Sequence, residues 1–136
     1  MRKDRHGLRF VIKILAVLAL SGIATASCAG EARVTVIDGD TLRKGDERLR
    51  IENLDAPDMG SHAKCAKERQ RGTAAKSYAI GLIRNARTID VVWAGRRDRY
   101  DRQLVRVMVD GRDFAGLMVS AGYGRPWRGR SSDWCT

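Results

Sequence analysis

The sequence predicts a small α+β domain behind a short N-terminal segment that is removed. Three observations carry the prediction. Short alternating or β-rich segments recur between turn residues on both sides of residue 66. One long Ala, Lys, Arg, Glu and Leu-rich stretch, residues 66–86, has helical spacing. A second, shorter apolar helical pattern follows Asp113. Strands, an inserted helix, more strands and a last helix make an α+β arrangement. The 136 residues suffice for one domain and leave no room for a comfortable second.

The segment at residues 1–26 reads as a secretory signal. Arg2, Lys3, Arg5, Arg9 and Lys13 precede an apolar run from Ile14 to Ala24. Small residues follow, and cleavage is expected after Ala26 or as late as Ala29. A membrane anchor is the rival, but a span needs roughly 20 apolar residues and this run is shorter. Removing the five bases and one acid of residues 1–26 lowers the net charge from +10 to +6. An exported, periplasmic or secreted basic domain suits a polyanionic partner, although positive charge also serves solubility.

Three cysteines sit awkwardly in an oxidising compartment. Cys28 lies at the cleavage region, so it is removed or becomes a lipid-modified first residue; Thr25 fits the lipid alternative poorly. Cys65 and Cys135 then remain as a pair that export favours oxidising. Closing so long a loop contributes about 4 kcal/mol. A zinc site at Cys65 is the competing reading, but His62 is the sole histidine after residue 26.

Val34, Val36 and Ile37 form a β-rich segment ending at Asp38-Gly39-Asp40, a turn signal. Thr41–Arg43 is extended, and Lys44-Gly45-Asp46-Glu47 is a hairpin turn. In Arg48-Leu49-Arg50-Ile51 the alternation sends Leu49 and Ile51 to the core. Along the long helix Ala75, Tyr78, Ala79, Leu82 and Ile83 make one buried stripe. Thr88–Trp93 returns to strand, Asp98–Arg102 is a charged loop, and Leu104–Val109 is a strand with Val105, Val107 and Val109 on one face. Asp113 caps a helix through Phe114, Leu117, Met118 and Ala121, stopped by Gly122. Five such strands suit a barrel of the oligonucleotide-binding (OB) type, and periodicity alone also allows another small sheet fold.

The polar residues that stand out are Asp38, Asp40, Arg50, Asp55, Asp58 and Arg102. Asp38-Gly39-Asp40 is not a calcium-binding EF-hand loop: counted from Asp38, the position that needs Gly holds Arg43 and the one that needs Glu holds Leu49. Taken alone it is a turn. In Arg50-Ile51-Glu52-Asn53-Leu54-Asp55-Ala56-Pro57-Asp58 a strand arginine leads into two carboxylates around a proline that stiffens the loop. Asp98-Arg99-Tyr100-Asp101-Arg102, taken alone, is a solvated charged loop.

Together these segments resemble the thermonuclease family, whose type member is staphylococcal nuclease. The family pattern runs V-I-D-G-D-T, then R-I-x-x-x-D-A-P-E, then D-R-Y-G-R-x-L-A. Here stand Val36-Ile37-Asp38-Gly39-Asp40-Thr41, then Arg50-Ile51 with Asp55-Ala56-Pro57-Asp58, then Asp98-Arg99-Tyr100-Asp101-Arg102-Gln103-Leu104-Val105. Order and spacing agree, and the resemblance covers nearly all of the expected domain at residues 32–136. The closing Trp127-Arg128 and Trp134-Cys135 resemble shorter members that pair this cysteine with one before the main helix.

The resemblance implies a five-stranded OB-type barrel with the main helix inserted between strands and a short C-terminal helix. It implies a calcium-dependent endonuclease, a hydrolase of DNA, RNA or both, acting as a monomer without a stable protein partner. Asp40, Asp55 and a backbone oxygen of Ala56 would hold one Ca²⁺, with Mg²⁺ or Mn²⁺ as weaker candidates. Arg50 and Arg102 would hold the scissile phosphate, and Asp58 would be the general base. The chemistry agrees. Carboxylates beside a phosphodiester need a cation between them, and all-oxygen ligation suits a hard ion. Two positions depart from the pattern. Asp58 is one methylene shorter than the family's glutamate, and Asp101 replaces a glycine, adding charge and restricting the backbone. They favour the alternative of a catalytically weak nucleic-acid-binding OB module of the cell envelope.

Overall fold

The architecture grows from a hairpin. Gly45, at φ 60°, and Asp46 turn the chain between β2 (Thr41–Lys44) and β3 (Glu47–Ile51), so that Lys44 pairs with Glu47. The computed structural model describes residues 33–136. The expected signal segment, its cleavage site and Cys28 lie outside them. β1 (Val34–Val36) pairs antiparallel with β2. β4 (Leu54–Asp55) follows β3 and leads through a 3₁₀ turn at Gly60–His62 to α1 (Ala66–Asn85). Then come β5 (Ile89–Arg97), β6 (Gln103–Val109), β7 (Arg112–Asp113), α2 (Phe114–Ser120) and β8 (Arg125–Pro126).

The main sheet runs β1-β2-β3-β6-β5, with β7 added to β6. β3 and β6 are parallel, while the other neighbours are antiparallel. A parallel pair needs a long crossover, and here α1 and β5 lie within it. The five mixed strands curl into a half-barrel that, with the two helices, is the OB-type α+β fold expected from the sequence.

The core fills the curl. Leu42, Leu49, Ile51, Val105, Val107, Phe114 and Met118 are fully buried. Leu49 and Ile51 face inward and Arg48 outward, as the alternation requires. Truncating Phe114 to Ala would cost about 3–5 kcal/mol by cavity formation. Ala75 and Ala79 of α1 are fully buried, with Tyr78, Leu82 and Ile83 packed beside them. Tyr78 stacks on Tyr123 at 4.7 Å between ring centres.

Three details differ from the sequence reading. β5 continues past Trp93 to Arg97 through a register shift, with Gly95 at φ 74° inside it. α2 stops at Ser120, and Ala121 is an exposed cap rather than part of the buried stripe. The Asp113 side chain does cap that helix, 3.0 Å from the Gly116 N–H, and Gly122 follows at φ 81°. Finally, the tail contains an unforeseen strand. β8 pairs with β4, Asp55 opposite Arg125. The expected disulfide joins Cys65 to Cys135, with 6.1 Å between their Cα atoms.

Candidate functional site

The turn at Asp38-Gly39-Asp40 is shaped by close packing. The N–H groups of Ile37 and Asp38 both donate to the Thr41 carbonyl, and Asp40 N–H donates to Asp38 Oδ1 at 3.2 Å. A Cβ on Gly39 would lie 2.7 Å from Ala56 Cβ and 3.1 Å from Ala75 Cβ. Glycine therefore lets this turn sit directly against α1 and the Ala56 loop. Asp40 Oδ2 accepts from the Ala56 N–H at 3.0 Å and pairs with Arg50 at 3.1 Å, while Oδ1 accepts from Thr41 Oγ1. One carboxylate thus ties the first motif to the second.

Asp55 is buried, and its Oδ2 accepts from the Ser132 N–H at 2.8 Å. Behind the loop, α1 makes a second glycine-dependent contact. A Cβ on Gly72 would sit 2.4 Å from the Asp58 carbonyl oxygen and 2.8 Å from that of Pro57. Buried Glu68 accepts from the Asp58 N–H at 3.4 Å and the Lys64 N–H at 2.7 Å. The backbone of Asp58 is thus anchored while its side chain remains exposed.

The two motif arginines are each oriented by an aspartate. Arg50 also donates to the Asp40 and Ile51 carbonyls and lies 5.7 Å from the Trp127 ring centre. Arg102 meets Asp98 through Nε and Nη2, both at 2.7 Å, and its Nη1 donates to Thr41 Oγ1 at 3.3 Å. Asp98 further accepts from the N–H groups of Tyr100 and Arg102, so the turn and the clamp form one unit. Asp101 sits in that turn at φ 59°, where the family pattern has glycine.

Asp40, Arg50, Asp55, Ala56, Asp58 and Arg102 all line one cleft of about 980 Å³. Every residue singled out for chemistry in the sequence is therefore brought together. Cys65 and Cys135 instead pin the tail whose Trp127, Arg130 and Ser131 form part of the cleft wall. Burial pushes the Asp40 carboxyl up to about 7; Arg50 and the Ala56 N–H oppose this, and neighbouring Asp38 adds to it. Asp58 is also raised, by desolvation first and then by the charge of Glu68. At Asp98 burial likewise acts upward, but hydrogen bonds from Arg102 and Tyr100 prevail and lower it.

Among the described residues no three His, Cys, Asp or Glu side chains are grouped as a metal cage. The expected ligand set needs only two carboxylates and a backbone oxygen, with water completing the shell of a hard ion. Asp40 and Asp55 supply oxygen donors to the same cleft, and the under-compensated Asp40 carboxyl is a place where a cation would relieve charge. The residues present fit calcium and do not fit zinc.

Sequence reasoning missed four contributors. Asp98 looked like part of a solvated loop, although it stands four residues before Arg102. Glu68 was not singled out, although an acid three residues after the Cys65 cap has capping-box spacing. Thr41, fully buried, links Asp40 to Arg102. Ser132 acts through its backbone and carries no signal in its side chain. A search of the curated proteins returned no match. The model of the family described as staphylococcal nuclease homologue matches residues 48–133, more than half of the chain, and the chain therefore belongs to that family of nuclease-like, nucleic-acid-binding modules.

Proposed function

We propose that this chain is an exported, calcium-dependent nuclease that hydrolyses phosphodiester bonds of DNA, RNA or both. The observation that carries the reading is the meeting of three separated motifs in one cleft: Asp40, then Arg50 with Asp55 and Asp58, then Arg102. The family match begins at Arg48, so Asp40 enters the reading on geometry. Its carboxylate bonds to Ala56 and Arg50, both inside the matched stretch. The Cys65–Cys135 disulfide supports an oxidising compartment and thus export from the cytosol.

In this mechanism Asp40, Asp55 and the Ala56 carbonyl would hold Ca²⁺. When bound, the ion neutralises phosphate charge and makes a nearby water more acidic. Arg50 and Arg102 grip the non-bridging phosphate oxygens. Their guanidinium forks are pre-oriented by Asp40 and Asp98, so little side-chain entropy is lost on binding. Both gain strength as negative charge accumulates in the transition state. Asp58, anchored through its backbone and exposed at its side chain, accepts a proton from the attacking water. The water oxygen bonds to phosphorus as one P–O ester bond breaks; the electron pair leaves with the departing sugar oxygen, which takes a proton from solvent. A raised carboxyl pKa makes Asp58 a stronger base than an ordinary surface aspartate.

The test is direct. Disulfide-intact protein is incubated with single-stranded DNA and with RNA, in calcium or in excess chelator. Cleavage in calcium alone is expected. Undiminished cleavage in chelator would remove the metal from the mechanism. Tight binding without cleavage in either buffer would make the chain a nucleic-acid-binding module instead.

A further inference from the structure

The tail that walls the cleft carries a second basic recess. Arg125, Arg128, Arg130, Ser131 and Asp133 line a cavity of about 550 Å³. Arg130 and Ser131 line the main cleft as well, so the two cavities share a wall.

This loop is anchored at both ends. Before it, Arg125 is the strand partner of Asp55 in the β4–β8 pair, and the Trp127 N–H donates to the Asn53 carbonyl at 3.1 Å. After it, the Ser132 N–H is fixed on Asp55, Arg71 donates to the carbonyls of Trp134 and Thr136, and Cys135 is tied to Cys65. Between the anchors the chain turns at Gly129, φ 80°.

Its charge differs from that of the arginines held by carboxylates. Arg50, Arg96, Arg97 and Arg102 face Asp40, Glu52, Glu47 and Asp98 respectively. Among the described residues Arg128 and Arg130 make no ion pair, and both are exposed. The acid in this recess, Asp133, has Oδ1 engaged by the Cys135 N–H at 2.9 Å. Arg125 lies over the Trp134 ring at 4.3 Å and donates to the Asp133 carbonyl. Guanidinium groups without a facing carboxylate, on a fixed loop, suit an anion with planar oxygen pairs.

We propose that Arg128 and Arg130 form a second phosphate subsite, which holds a backbone phosphate of the strand beyond the one gripped by Arg50 and Arg102. The identity of that strand rests on the nuclease reading; the anion-binding recess does not. Because phosphates repeat along a polynucleotide, a strand leaving the cleft across the shared wall brings its next charges onto this loop. The subsite therefore favours chains over dinucleotides and inorganic phosphate.

The test uses the full, disulfide-intact protein and Arg128→Gln/Arg130→Gln. Arg84→Gln/Arg112→Gln serves as the control, removing equal charge from exposed residues that line neither cavity. Binding of a short single-stranded oligonucleotide is measured in chelator across a salt series, and hydrolysis of a dinucleotide in calcium. Two lost phosphate contacts should flatten the log–log salt slope by roughly 1.4, at about 0.7 per contact on a single strand. Affinity should fall about tenfold at low salt, while the control keeps the natural slope and Arg128→Gln alone, outside the main cleft, leaves dinucleotide hydrolysis unchanged. Arg128→Lys/Arg130→Lys should restore most of the slope, which separates lost charge from a damaged fold. An unchanged slope in the Gln variant, or an equal loss in the control, would overturn the subsite. Absent hydrolysis with the slope difference intact would defeat the nuclease reading and leave the subsite standing.

Discussion

The two ends of the cleft are built from the same pair of residue types and behave oppositely. At one end Arg50 meets Asp40 at 3.1 Å, and at the other Arg102 meets Asp98 at 2.7 Å. Both carboxylate side chains have little surface exposed, but Asp40 lies much deeper in the protein than Asp98. Yet the Asp40 carboxyl is pushed up to about 7, and that of Asp98 is held below its ordinary range. Burial is the largest influence at both. At Asp98 two backbone N–H groups and the double contact with Arg102 outweigh it. At Asp40 the Ala56 N–H and Arg50 do not, because desolvation is much deeper there and neighbouring Asp38 adds to it. The difference shows that a single arginine partner does not settle the state of a carboxylate; the depth of burial, set against the sum of donors and like charges, does. A saturated Asp98 is suited to hold an arginine still. An under-compensated Asp40, sharing its cleft with Asp55, is suited to receive a cation.

The strongest test of the comparison removes each charge and keeps the shape. Asp40→Asn should lower calcium-dependent cleavage by about 10³-fold, the upper range for removing one electrostatic contact from a transition state. Asp98→Asn should cost about 10- to 100-fold, the value of hydrogen bonds to a charged group. A slower Asp98 variant than Asp40 variant, in the same cleavage assay, would invert the assignment of roles.

Asp58 is the third carboxylate of the cleft, raised but exposed. Asp58→Ala should slow cleavage roughly 10²–10⁴-fold with little change in substrate affinity. Asp58→Glu, with its longer reach, should be faster than the natural protein. An Ala variant of unchanged rate would eliminate Asp58 as base. A slow Ala variant with a still slower Glu variant would mean that the Glu68-anchored loop is fitted to aspartate.

The same comparison predicts opposite trends with pH in metal-free protein. The Asp40 pKa is higher folded than unfolded, so its contribution to stability is full below 3.8 and is lost as pH rises through about 7. Asp98 is lowered when folded, so its contribution is present above its unfolded value and fades as pH falls. In chelator, wild-type protein should lose Tm relative to Asp40→Asn as pH climbs from about 4 to about 7. Calcium should abolish most of that difference. Parallel Tm profiles in chelator would show that Asp40 is not raised.

The smallest effect concerns the turn that carries Asp98 and Arg102. Asp101 holds φ 59° there, at a cost that glycine would avoid. Asp101→Gly should raise stability by about 1 kcal/mol and leave cleavage nearly unchanged. Destabilisation in a denaturant titration would mean that the Arg97–Asp101 contact, 3.5 Å between charged atoms, outweighs the strain.

Local order along the chain was already legible in the residues. Alternation in Arg48-Leu49-Arg50-Ile51 set which side chains face the core, and Gly45-Asp46 set the hairpin. Helical spacing from Ala75 to Ile83 set the buried face of α1. These are properties of neighbours along the chain, so they are written there. Three motifs in order also marked Asp40, Arg50, Asp55, Asp58 and Arg102, because each motif needs its residues close together in sequence.

How those residues act on one another came from contacts made in three dimensions. The Asp55 carboxylate is held by a backbone N–H 77 residues away, at Ser132, and no side-chain pattern encodes a backbone donor. Glu68 reads as solvent-facing charge within a Lys, Glu and Arg-rich helix until the Lys64 and Asp58 N–H groups close over it. The opposite fates of Asp40 and Asp98 are likewise invisible in two Asp-containing turns. Desolvation and charge are sums over every group nearby in space, and folding brings most of those groups from elsewhere in the chain.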